Sequence, residues 1–158
     1  MGEPRSIFSA DFSLWESMRG ETWKTWHVED NSELTGSGVY ELVLTPLPGK
    51  GGGIQIECML PDDAGGVVEA KADIMALAPG KVALNVYADY DPDNEEDRSV
   101  NQCEHLGDGN WHTLTVEMPV DPKRRPYRVR VAVVVRQDAP ETRVRRLTAN
   151  FLSTIAPS

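Results

Sequence analysis

The sequence predicts an all-β fold, a two-sheet antiparallel β-sandwich of the jelly-roll kind, and three observations carry that prediction. Apolar and polar residues alternate with period two along one short segment after another. The 13 glycines and 11 prolines are spread between those segments, where turns are needed. At 158 residues the chain has the length for a single sandwich domain, residues 1–158, with a closed core.

Ser6 to Phe12 alternates weakly and opens the sandwich as a short strand. Ser13 to Met18 allows one helical turn, with Trp15 and Met18 on one side. Thr22 to Val28 alternates as a strand, with Trp23, Thr25 and His27 on one face and Lys24, Trp26 and Val28 on the other. Val39 to Thr45 is a strand between Gly36-Ser37-Gly38 and the breakers Pro46 and Pro48. Beyond the glycine-rich run at Gly49 to Gly53, Ile54, Ile56, Cys58 and Leu60 face one way and Gln55, Glu57 and Met59 the other. Pro61 to Gly66 is a turn.

Val67 to Leu77 has the composition of a helix, yet Val68, Ala70, Ala72, Ile74 and Ala76 alternate with Glu69, Lys71 and Asp73, so we read a strand. Pro79-Gly80 turns into a strand ending at Tyr90, with Val82, Leu84, Val86 and Ala88 inward and Asn85, Tyr87 and Asp89 on the opposite face. Asp91 to Asp97 reads as an acidic solvated loop. Trp111 to Met118 is a strand launched from Gly107 to Asn110, with Trp111 assigned to the core, and Pro119 to Pro126 is a polar crossover. Tyr127 to Arg136 is the strongest strand pattern in the chain; Gln137 to Glu141 turns it back, and Arg143 to Leu152 closes the sheet. The total is about nine strands at sandwich spacing.

The formal net charge is −9. An acidic surface repels phosphate backbones, which argues against a nucleic-acid partner. Acid dominates from Glu57 to Glu104, whereas Lys123 to Arg146 is basic. That basic segment reads as a strand carrying solvated arginines, with an anion site as the alternative. No apolar stretch approaches the roughly 18 residues of a membrane span, so no membrane partner is expected. The start, MGEPRSIFSADFS, lacks the pattern of a signal peptide. A secreted protein would have lost its signal already; otherwise the location is cytoplasmic. Cys58, in an apolar alternating run, reads as a buried thiol, although a pairing with Cys103 stays open; no cysteine or histidine spacing suggests zinc.

Several short motifs together carry a resemblance. Ser9-Ala10-Asp11-Phe12 is similar to an opening N-G-D-F-E strand, and the Trp23/Trp26 segment follows it. Gly38-Val39-Tyr40-Glu41-Leu42 is similar to G-x-x-x-L, Ala78-Pro79-Gly80 to a mid-chain turn, and Gly109 to Leu114 to a W-x-x-L strand followed by the alternating Arg128 to Arg136. In this order they resemble the jelly-roll carbohydrate-binding modules often appended to xylanases and glucanases. The string Asp108 to His112 also resembles laminin-G-like domains, which are sandwiches too. Many such modules close with I-D-D-V and a structural calcium; here Leu147-Thr148-Ala149-Asn150-Phe151 lacks both aspartates.

The resemblance implies an oligo- or polysaccharide partner, a β-glycan of xylan or glucan type held on a concave sheet face, and a place beside a catalytic domain in the parent protein. Sugar recognition needs flat aromatic faces for the pyranose ring and planar polar groups for its hydroxyls. The candidate residues are Asn85, Tyr87 and Asp89 on one strand, Gln55 and Glu57 on another, Arg136 at the end of a third, and Trp23, Trp26 and His27; the alternative for such a face is plain solvation. Trp23 and Trp26 face opposite ways, and Trp23, beside His27, is the favoured contact. No cofactor is expected. Asp91-x-Asp93-x-Glu95 opens like a calcium loop, but Glu96 stands at the sixth position and Gln102 at the twelfth, where glycine and a bidentate glutamate belong. Two rival readings remain. One is a small enzyme, a hydrolase or lyase or a cyclase, with its site inside the rolled sheet; separately, Glu57 and Asp89 would serve as a glycosidase pair if they faced each other at the right separation. The other is an assembly module without a small ligand.

Overall fold

The computed structural model describes residues 5–10, 23–58, 60 and 65–153, and the helical turn expected at 13–18 lies outside them. The described residues form eleven strands: β1 (Arg5–Ala10), β2 (Trp23–Trp26), β3 (Val28–Leu34), β4 (Tyr40–Pro46), β5 (Gly52–Cys58), β6 (Gly66–Met75), β7 (Val82–Asp91), β8 (Asn94–Glu104), β9 (Trp111–Val120), β10 (Arg128–Val135) and β11 (Thr142–Ser153). They build two antiparallel sheets. One runs β3-β4-β11-β6-β9 with β1 added along β11, and the other runs β2-β5-β10-β7-β8.

Alternation places the core. Leu42 and Leu44, Ile54 and Ile56, Val82 to Ala88 by twos, and Val129 to Val135 by twos all point between the sheets with Val144, Leu147 and Phe151. Val68, Ala70, Ala72 and Ile74 of β6 are buried there as well, so period two overrides the helical composition of that segment. Each fully buried Leu, Ile or Val contributes about 1.5–3 kcal/mol from removing its apolar surface from water.

Two strands depart from the sequence reading. Thr22 to Val28 is not one strand: β2 pairs with β5 in one sheet and β3 pairs with β4 in the other. His27 is the switch between them, in the left-handed region at φ 49°, and its carbonyl accepts the Leu47 N–H at 2.9 Å. The crossover passes so close to β5 that a Cβ on Gly52 would strike the Trp26 and His27 carbonyls. The second departure is the expected acidic loop. Asp91 pairs with Asn94 across a tight hairpin, and Asn94 to Glu104 continues as the edge strand β8. Sequence pattern missed it because only one face of an edge strand touches protein, and that face holds little apolar bulk here.

His105 fastens the two sheets at one end. It follows β8, is 2% exposed, and its Nδ1 accepts the Gly107 N–H at 2.8 Å. The proton therefore sits on Nε2, which donates to the Ile74 carbonyl of β6 at 2.9 Å. Cys103 is a free thiol packed against the core. Trp111 is a correction: its ring is half-buried beneath the Arg145 guanidinium, 3.9 Å from the ring centre, rather than within the core. The reason is parity, since Leu114, Val116 and Met118 take the inward positions of β9.

Candidate functional site

The outer face of the β2-β5-β10-β7-β8 sheet collects most of the candidate residues in parallel rows. One row crosses all five strands as Lys24, Gln55, Ala132, Asn85 and Gln102. The next holds Glu57, Arg130, Tyr87 and Val100, and beyond it lie Arg128, Asp89 and Arg98. On the other side come Trp26, Gly53, Val134, Ala83 and Glu104. At about 4.8 Å per strand spacing, a row spans roughly 19 Å. Ala132 and Ala83 are small and Gly53 has no side chain, so the centre of the face is low while Trp26 and the long side chains stand above it.

Trp26 lies on this low floor. A Cβ on Gly53 would sit 2.9 Å from the Trp26 ring, so the indole rests directly on the β5 backbone. The sequence favoured Trp23; it pairs in register with Ile56, whose side chain is in the core, while Lys24 and Trp26 share the register rows of the outer face. His27 belongs to neither sheet. Arg136 follows the end of β10, donates to the Gly80 carbonyl at 2.7 Å and pairs with Glu104 at 2.9 Å, at the far end from Asp89.

Asp89 is the electrostatic centre of the face. It points outward, as parity requires, yet it is only 4% exposed because two arginines of β10 close over it. Arg128 Nε and Arg130 Nε both donate to Oδ2 at 2.8 Å, and Arg130 Nη2 donates to Oδ1 at 3.1 Å. Burial pushes the carboxyl pKa up, but the hydrogen bonds and charges of Arg130 and Arg128 outweigh it and hold Asp89 below its ordinary value. Arg128 reaches on to Glu57 at 3.2 Å, which Lys24 also contacts at 3.2 Å. Burial raises Glu57, and these two cations more than reverse it. The arginines expected to be solvated are therefore a cross-strand network, and Lys24, Arg98, Arg128, Arg130 and Gln102 share this face although the sequence did not single them out. The period-two spacing of Arg128 and Arg130 was the available signal for two of them.

The network also sets the aromatic geometry. The Arg130 guanidinium lies over the Tyr87 ring, 4.6 Å from its centre, and Arg98 approaches it to 5.5 Å from the other neighbouring strand. Tyr87 is thus half-buried and already partnered, not an open solvent-facing ring. Its hydroxyl accepts from Asn85 Nδ2 at 2.9 Å. Asn85 is 8% exposed, and no group among the described residues reaches its Oδ1. A buried amide oxygen without a donor is costly by about 1–3 kcal/mol.

This arrangement speaks against Glu57 and Asp89 as a glycosidase pair. Such a pair needs one carboxyl with a raised pKa to act as acid. Both are instead lowered and joined by one guanidinium. At the far end of the sandwich, His105, Asp108 and His112 bring ligand atoms within 4.8 Å of one another. Both His105 nitrogens are committed to backbone, however, and His112 Nε2 is held by Asp108 at 2.8 Å, which lowers the Asp108 pKa to about 2.

The fold is that of the jelly-roll carbohydrate-binding modules. The chain superposes on the CBM22-1 xylan-binding domain of Paenibacillus barcinonensis Xyn10C with TM-score 0.68 at 14% identity, covering 98% of this chain and 99% of that one. It also matches the Clostridium thermocellum Xyn10B CBM22-1-GH10 modules complexed with xylohexaose, TM-score 0.62 at 10% identity over 91% of this chain and 28% of that one. A third match is the enzymatically active domain of bacteriophage CBA120 tailspike protein 4, TM-score 0.64 at 10% identity over 84% of this chain and 20% of that one. No family model matches the sequence, and no curated protein matches it by sequence.

Proposed function

We propose that the protein is a non-catalytic carbohydrate-binding domain that holds a β-glycan chain across the outer face of the β2-β5-β10-β7-β8 sheet. The observation that carries this reading is the row of planar amides Gln55, Asn85 and Gln102 running across the sheet beside the Trp26 indole. An indole face suits the C–H side of a pyranose, and amides give and accept hydrogen bonds as sugar hydroxyls do. The unpartnered Asn85 oxygen supports the reading, because a hydroxyl would supply the donor it lacks. The likeness to a xylan-binding domain supports xylan-type chains as the first ligands to test, and a role beside a catalytic domain, as in the Clostridium chain, belongs to the same proposal.

The test is calorimetric titration of wild type and Trp26→Ala with xylan and mixed-linkage glucan oligosaccharides. Loss of the indole should weaken binding by about tenfold or more. Equal affinity in the variant would remove Trp26 from the site. Absence of binding by the wild type to every β-glycan would overturn the function.

A further inference from the structure

Resting on that reading, we propose that the glycan carries a carboxylate, a uronate, and that Arg98 is the residue that recognises it. Asp89 explains why Arg98 is available. The two residues stand opposite each other in the β7–β8 register, where an ion pair would be expected. Asp89 has spent both oxygens on Arg128 and Arg130, so its charge is already met from the other side. Arg98 is left exposed, with its guanidinium toward Tyr87 and no carboxylate partner among the described residues. Glu96, the next carboxylate of the same parity along β8, makes no ion pair with it.

The surroundings fit the same ligand. In the rows from Gln102 to Arg98 the face holds four cations, Lys24, Arg98, Arg128 and Arg130, against two carboxylates, Glu57 and Asp89. That strip is net positive on a chain of net charge −9, which favours an anion there. Val100, opposite Tyr87 and 43% exposed, offers an apolar contact beside the guanidinium. A pyranose ring resting on Val100 and the edge of Tyr87 would bring a C6 carboxylate to the Arg98 fork, where two parallel N–H···O bonds form. Lysine would supply the charge without the fork.

The experiment compares wild type, Arg98→Gln and Arg98→Lys against three ligands: neutral xylo-oligosaccharides, glucuronate-branched xylo-oligosaccharides, and the branched set after chemical reduction of the carboxylate to an alcohol. Wild type should bind the acidic form at least about fivefold more tightly than its reduced counterpart, and added salt should shrink that advantage. Arg98→Gln should bind the acidic ligand and its reduced counterpart alike, with Arg98→Lys between. A polyuronate in a parallel titration tells whether main-chain carboxylates serve as well as branch-borne ones. Equal wild-type affinity for acidic and reduced ligands would overturn the uronate proposal and leave the glycan reading standing, whereas a preference that survives in Arg98→Gln would overturn the assignment of its recognition to Arg98. Failure of every glycan to bind would overturn both.

Discussion

Arg130 of β10 and Asp89 of β7 form a two-pronged pair across neighbouring strands, Nε to Oδ2 at 2.8 Å and Nη2 to Oδ1 at 3.1 Å, while the same guanidinium covers the Tyr87 ring. One contact thus orders a carboxylate and an aromatic together on the candidate binding face.

Asp89→Asn tests that contact. It leaves Arg128 and Arg130 without their buried counter-charge and should cost roughly 3 kcal/mol at neutral pH, read by urea unfolding. Because the folded-state pKa of Asp89 is depressed, its contribution is present above the unfolded value, near 3.8, and is lost as pH falls through the folded value. The gap between wild type and variant should therefore be widest above pH 3.8 and narrow on further acidification. A gap that grows toward low pH would contradict the assignment.

Gly53→Ala should displace the Trp26 indole without removing it. The new Cβ would meet the ring and the Val133 carbonyl, so β2 or β5 must shift. Tryptophan fluorescence should move to longer wavelength and glycan affinity should fall in step. An unchanged spectrum would mean the ring does not rest on that glycine.

Tyr87→Phe removes one hydroxyl and keeps the ring beneath Arg130. The Asn85 amide then loses its side-chain partner, at a cost of about 1 kcal/mol in stability. Binding of neutral glycans should change less than in Trp26→Ala, since the Tyr87 ring already carries a cation.

His105→Phe removes the imidazole partner of both the Ile74 carbonyl and the Gly107 N–H at one end of the sandwich. We expect a loss of roughly 2–4 kcal/mol by chemical denaturation, with the binding face unaffected. Wild-type stability in this variant would deny His105 its fastening role.

Calcium should leave the melting temperature within about 2 °C of its value in EDTA. Two carboxylates of the 91–97 segment are already engaged: Asp91 caps the Asp93 N–H at 2.9 Å and Asp97 pairs with Arg124. The strand after the turn also sends successive side chains to opposite faces. A rise of many degrees on adding calcium would show a metal site there.

The sequence by itself determined which residues of β6, β7 and β10 enter the core, because a one-residue slip would expose Val129, Val131, Val133 and Val135 at once. The same parity put Gln55, Glu57, Asn85, Tyr87 and Asp89 on the outer side of their strands. Polar edge strands were not legible. Asn94 to Glu104 has the composition of a loop, and only the β7 ladder makes it a strand that brings Arg98 and Gln102 to the face. Nor was the choice between Trp23 and Trp26 legible, since it turns on the sheet switch at His27 and on the missing Cβ of Gly53. The tertiary structure alone decided that two arginines from β10 would satisfy Asp89 and leave Arg98 without a carboxylate partner among the described residues. Alternation says which side of a strand a charge takes; only the lateral order of strands distant in sequence says which charge it meets.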